Sequence, residues 1–141
     1  MLCPNSGSKR SAFSLVELIV VMVILGLLAG LVVVQTRGYL IRSRQKIAET
    51  EIATLVSALE TFYANENRYP SSDEGLEVLA QPSENYPEPY IRKLTKDPWG
   101  NAYEYFSPGS SGPYEVICLG ADGREGGDGE NRDFSSGTLG V

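Results

Sequence analysis

Between residues 118 and 134 the chain reads CLGADGREGGDGENRDF. Asp122, Glu125, Asp128, Glu130 and Asp133 fall within 12 residues, and five glycines stand between Gly120 and Gly129 inclusive. Such a stretch buries no apolar surface, and its backbone freedom and like charge resist folding. A hard cation would offset both, because Ca2+ takes about six to eight oxygen ligands and accepts carboxylates mixed with backbone carbonyls. The spacing is not that of an EF-hand. Gly127 does fall sixth from Asp122, but Arg124 occupies a ligand position and Asp133 stands in place of the terminal Glu. GGDGENRD half-matches a nonapeptide Ca2+ repeat but lacks its apolar position and occurs once. On the residues alone, a Ca2+ loop and a solvated flexible loop both remain open.

Glu17 stands out by its isolation. It is the one charged residue in SAFSLVELIVVMVILGLLAG, residues 11–30, and no charge follows it through Val34. An ionised side chain at the centre of a bilayer costs about 2.5–3.5 kcal/mol on insertion scales. In a helix starting at Phe13, Glu17 lies only about 6 Å along the axis, at about 1.5 Å per residue. Two readings are open: it reaches headgroups and water, or it meets a positive group such as the free amino terminus of a neighbouring chain. No enzyme constellation competes with these roles. The chain has no histidine, and the glycines at 120–129 are followed by no Lys-Ser/Thr that would make a phosphate cradle. Net charge is −6 over 141 residues and −8 from Phe13 onward, which argues against nucleic acid as a partner.

The elements that must carry these groups follow from patterning. Phe13–Val34 is long enough to cross a bilayer as a helix, and Lys9 and Arg10 before it favour a cytoplasmic amino terminus. A cleaved secretory peptide would have a shorter apolar core and a helix break after it. Here helix-compatible sequence continues to about Glu66. Ala48, Ile52, Leu55, Leu59 and Phe62 keep 4-3-4-3 spacing, widened by Val56 and Tyr63, and this stripe is expected to seat a globular domain. Arg37, Arg42, Arg44 and Lys46 collect where the helix would leave the bilayer, to meet headgroups or acids on neighbouring subunits. Tyr69-Pro70 is expected to end the helix. Ser72 or Asp73 caps a short helix over 74–80, and AYEYF and YEVICL read as strands joined through SPGSSGP. Pro98 and Gly100 make DPWGN a turn. Cys118 reads as a small buried apolar residue. The expected class is α+β: one long helix on a small antiparallel sheet of about three strands.

KRSAFSLVEL resembles the processing site of class III signal peptides, shared by type IV pilins and the pseudopilins of type II secretion. RYPSSDEGLEVL, YIRKLTKDPWGNAYEY and GADGREGGDGENRDF resemble the major pseudopilins, the general secretion pathway protein G family. The resemblance implies a pilin-like fold with a C-terminal calcium loop. It divides the chain into a cytoplasmic leader, 1–12, a transmembrane helix, 13–34, an amphipathic continuation, 35–66, and a periplasmic globular part, 67–141, with the loop at 118–134. It implies cleavage between Ala12 and Phe13 by a prepilin peptidase/N-methyltransferase, and methylation of the Phe13 amine. Glu17 would pair with the Phe13 amine of an adjacent subunit. Cys3 would leave with the leader, so no intramolecular disulfide could form. Three departures stand out: Ala12 replaces the usual Gly, Val34 stands near the usual Pro, and the Cys-bracketed loop of major type IV pilins is missing.

For the acidic loop, the resemblance implies Ca2+ held by the Asp122 carboxylate, the carbonyls of Leu119 and Ala121, and Asp133. Asn131 stands where relatives often have Asp, and Asp128 would compensate. The implied function is structural: a subunit polymerising into the periplasmic pseudopilus that drives folded proteins across the outer membrane. The alternative is a type IV pilin or minor pseudopilin. The implied partners are further copies of the chain, other pseudopilins, inner-membrane assembly-platform proteins and lipid. The implied location is the bacterial inner membrane, single-pass, with the bulk of the chain periplasmic.

Overall fold

The computed structural model describes residues 12–140, which fall into two units, one ending at Gly38 and the other beginning at Tyr39. The leader residues 1–11, with Cys3, Lys9 and Arg10, lie outside the described residues.

Helix α1 runs Leu15–Glu66, unbroken through Gly26, Gly30 and Gly38. In the first unit its apolar side chains are exposed: Leu18, Val21, Leu25 and Leu28 each keep about half or more of their surface free. The segment is long and apolar enough to cross a bilayer. The helix stops three residues before Pro70. Asn67 takes a left-handed conformation at φ 55°, and its N–H closes on the Tyr63 carbonyl at 2.8 Å. Asn tolerates this C-terminal position better than most residues, so the stop lies at Asn67 and not at Tyr69-Pro70.

In the second unit the predicted stripe is the core. Ala48, Ile52, Leu55, Leu59 and Phe62 are all buried, together with Val56 and Ala58. Tyr63 does not join them; it stays 45% exposed and stacks on Tyr69 at 4.7 Å. The expected helix over 74–80 shortens to a 3-10 turn, Glu77–Ala80. Gly75 causes this, since its φ of +64° cannot continue a right-handed helix. Neither Ser72 nor Asp73 caps it: the 3-10 turn starts from Leu76 with no side-chain cap, and the reciprocal bonds form one turn earlier, where Ser71 Oγ accepts from Glu74 N at 3.2 Å and Glu74 Oε2 accepts from Ser71 N at 2.8 Å.

The sheet has three antiparallel strands in the order β1-β2-β3: Glu104–Phe106, Glu115–Cys118 and Phe134–Ser135. Tyr105 pairs with Val116, and Cys118 with Phe134. Alternation puts those four side chains on the buried face against α1. A short helix α2, Ser136–Leu139, closes the chain through reciprocal Ser135–Thr138 capping. Its Ser136 Oγ accepts from Val116 N at 3.1 Å.

Candidate functional site

Ala12, Phe13 and Ser14 precede the helix in non-helical conformation, so among the described residues the expected cleavage point lies ahead of the first hydrogen-bonded turn. The first turn closes from Leu18 N to the Ser14 carbonyl at 3.2 Å. Glu17 sits in that turn, where the unpaired N–H groups favour an acid. Phe13, 79% exposed, lines one shallow recess with Glu17, Leu18 and Val21. From Leu15 to Val33 the helix therefore presents one carboxylate on an otherwise apolar, exposed surface.

The acidic loop is folded back on itself. Ala121 N donates to the Glu130 carbonyl at 3.0 Å, and Asn131 N to the Asp128 carbonyl at 3.2 Å. Gly120 allows the return strand to pass close, since a Cβ there would fall 2.7 Å from the Asn131 carbonyl carbon. Asp133 Oδ2 accepts from Gly126 N at 2.6 Å. Its Oδ1 is buried and has no hydrogen-bond partner among the described residues. A buried carboxylate oxygen lacking a donor suits a bound cation. Asp122 is exposed, with Oδ1 accepting from Arg124 N at 3.3 Å. Asp128 and Asn131 are exposed as well, and Leu119 is half-buried. Among the described residues no three His, Cys, Asp or Glu side chains cluster closely enough to hold a metal. Asp122, Asp128 and Asp133 are therefore not gathered into a three-carboxylate set, and a cation here would depend on fewer acids and more carbonyls.

Several residues that hold this loop escaped the sequence reading. Glu130 Oε1 accepts from Arg44 Nη1 at 3.0 Å and from Trp99 Nε1 at 3.2 Å. Gln45 Nε2 donates to the Gly129 carbonyl at 2.7 Å. Asn101 Nδ2 donates to the Gly120 carbonyl at 3.1 Å. Trp99 and Asn101 are fixed in turn by Asp97, which is buried; its Oδ1 accepts from Trp99 N at 3.0 Å and Asn101 N at 2.8 Å. Asp ahead of Pro-x-Gly is a turn-starting pattern, so the sequence carried a signal for that much. Nothing local points from Arg44 to Glu130.

Of the basic cluster Arg37, Arg42, Arg44 and Lys46, two members pair within the chain. Arg44 pairs with Glu130 of its own chain, and Lys46 with Glu49 at 3.1 Å. Arg37 and Arg42 are exposed. Cys118 is fully buried, as expected, and also donates to Asp97 Oδ2 at 3.4 Å. Burial, and the Asp97 carboxylate beside it, push its thiol up to about 12, so it stays protonated and unreactive. Burial and a hydrogen bond to Glu51 likewise hold the Tyr103 phenol well above its usual range.

Comparison with known proteins fits this architecture. Residues 35–137 match the family model for the type II secretion system (T2SS) protein G, and residues 7–33 match the prokaryotic N-terminal methylation motif. The type II secretion system core protein G of Vibrio cholerae is 44% identical over 135 residues, covering 91% of this chain and 92% of that relative. The core protein G of Pseudomonas aeruginosa is 38% identical, covering 91% and 95%. The crystal structure of the major pseudopilin from the type 2 secretion system of enterohaemorrhagic Escherichia coli superposes with a TM-score of 0.57. It is 28% identical and covers 69% of this chain and 89% of that one. With the long helix, the three-stranded sheet and both sequence matches in agreement, the chain belongs to the protein G family of the type II secretion system.

Proposed function

We propose that this chain is the structural subunit of a type II secretion pseudopilus, stored in the membrane and polymerised after trimming. The protein G match over residues 35–137 favours this over a type IV pilin. The observation that carries the assembly mechanism is Glu17, the lone charge on the apolar part of α1, in its first turn. Cleavage after Ala12 would free the Phe13 amine, and methylation leaves it a cation. In a membrane Glu17 reaches water near the helix end. Inside a filament that route closes, and an unpaired carboxylate becomes costly. A neighbour's Phe13 ammonium offsets that cost, so the pair favours register as well as association. The role is structural, and the partners are further copies, other pseudopilins, the inner-membrane assembly platform and the peptidase that processes Phe13. The positive leader supports a single-pass inner-membrane orientation with the second unit periplasmic.

Ca2+ in the acidic loop is part of this proposal. Asp133 Oδ1, buried and without a donor among the described residues, supports it, with Asp122 and the carbonyls of Leu119 and Ala121 as the further ligands. Asp128 and Asn131 contribute only if their exposed side chains turn inward. Bound there, Ca2+ would neutralise carboxylates and stiffen a glycine-rich segment.

Two experiments test these parts. Glu17→Gln, expressed with its secretion partners, is expected to be processed and membrane-inserted yet to form few filaments by electron microscopy; normal filaments would remove the pairing mechanism. Thermal unfolding of the wild-type chain is expected to shift upward with CaCl2 relative to EGTA, and Asp122→Ala to lose that shift. Identical responses in the two proteins would refute the Ca2+ loop.

A further inference from the structure

The acidic loop is held at both ends by parts of the chain distant in sequence. Asn101 takes the Gly120 carbonyl, and Trp99 from the same turn takes the Glu130 carboxylate. From α1, Arg44 adds a second bond to the same Glu130 oxygen and Gln45 takes the adjacent Gly129 carbonyl. Arg44 and Gln45 are neighbours on the helix, so both reach one turn of the loop. Both donors converge on Glu130 Oε1, so this carboxylate is tied to α1 and to the 97–101 turn.

We infer that Arg44, Gln45 and Trp99 form a latch on Gly129–Glu130 that orders the acidic loop before any cation arrives. These are positioning residues. Between the Gly120 and Glu130 anchors, nine residues, three of them acidic and four of them glycine, must otherwise be ordered against their own repulsion and backbone freedom. A loop already closed loses less freedom on taking up a cation, so the latch raises cation affinity without touching the ion. That last step rests on the Ca2+ reading above; the ordering of the loop does not.

The test uses the full processed chain in detergent micelles. In EGTA, the Arg44→Ala/Gln45→Ala variant is expected to exchange amide hydrogens at 121–131 roughly tenfold faster than wild type, with 52–62 unchanged. The chain has a single tryptophan, so emission from Trp99 reports the latch directly and is expected to shift to the red. Glu130→Gln, whose amide oxygen still accepts, is expected to exchange more slowly than Glu130→Ala. Wild-type exchange at 121–131 in the double variant, or equal exchange in the two Glu130 variants, overturns the latch. Should the double variant lose protection at 52–62, Gln45→Ala alone decides by the same criteria. Calorimetric titration with CaCl2 is expected to give several-fold weaker binding in the double variant. Equal affinity overturns preorganisation. Absence of binding by the wild type would refute the Ca2+ reading, and exchange in EGTA would still decide the latch.

Discussion

Leu15–Glu66 is one helix, yet its two parts solve different problems. Around Leu18–Val33 apolar side chains cover every face and remain exposed. Around Ala48–Phe62 apolar residues keep to one stripe, and that stripe is buried to within a few per cent. Both parts are α-helix, so the difference lies in the side chains and in the surroundings they suit. A helix apolar all round needs lipid or other helices; one apolar on a stripe needs a sheet or a domain against that stripe. The lesson is that continuity of secondary structure does not imply a common environment.

Three substitutions break or sharpen this comparison. The largest effect is expected from Phe62→Ala, which empties a fully buried position and should cost about 3–5 kcal/mol. Urea unfolding followed by circular dichroism measures it, and membrane retention should not change. Next, Leu25→Arg places a charge near the middle of the apolar segment and should cost about 2.5–3.5 kcal/mol of insertion. Carbonate extraction should release this variant, while the urea midpoint of the second unit stays at the wild-type value. Reversal of these two outcomes would mean that the parts do not have separate solvents.

The smallest effect concerns charge. The Arg68 guanidinium at 2.7 Å, with the Ser71 N–H, lowers the Glu74 carboxyl from its ordinary value near 4.5 to about 2. A carboxyl whose value falls on folding contributes its stability in full above pH 4.5 and loses it as pH falls toward 2. The pair is largely exposed, so the contribution is about 0.2–1 kcal/mol. Arg68→Ala should therefore narrow the difference in urea midpoint between pH 6 and pH 3, with no effect on membrane extraction.

Much of this molecule was readable before folding was considered. The 4-3-4-3 spacing picked out five core residues, and all five are buried. A β-branched, alternating stretch placed Cys118 in a strand with its side chain inward. These succeed because helical and strand periodicity are local geometry. A single backbone angle decides the clearest miss: Gly75 turns left-handed and shortens the expected 74–80 helix to Glu77–Ala80, whereas α1 ends at Glu66 as expected, with left-handed Asn67 next in the chain. The candidate loop was legible in composition and not in geometry. Five acids within 12 residues look equivalent as letters, yet Glu130 is engaged by Arg44 and Trp99 while Asp133 keeps a buried oxygen with no donor among the described residues.

By itself the sequence determined the apolar run, the isolated Glu17, the processing motif and the stripe that seats the sheet, because each depends on residues within a few turns of one another. Tertiary structure alone decided which charges are already satisfied. Arg44 and Glu130 lie 86 residues apart and meet only once the 97–101 turn and the loop are brought back to α1. Chain closure over that distance is set by the packing of the whole domain, which no local spacing encodes.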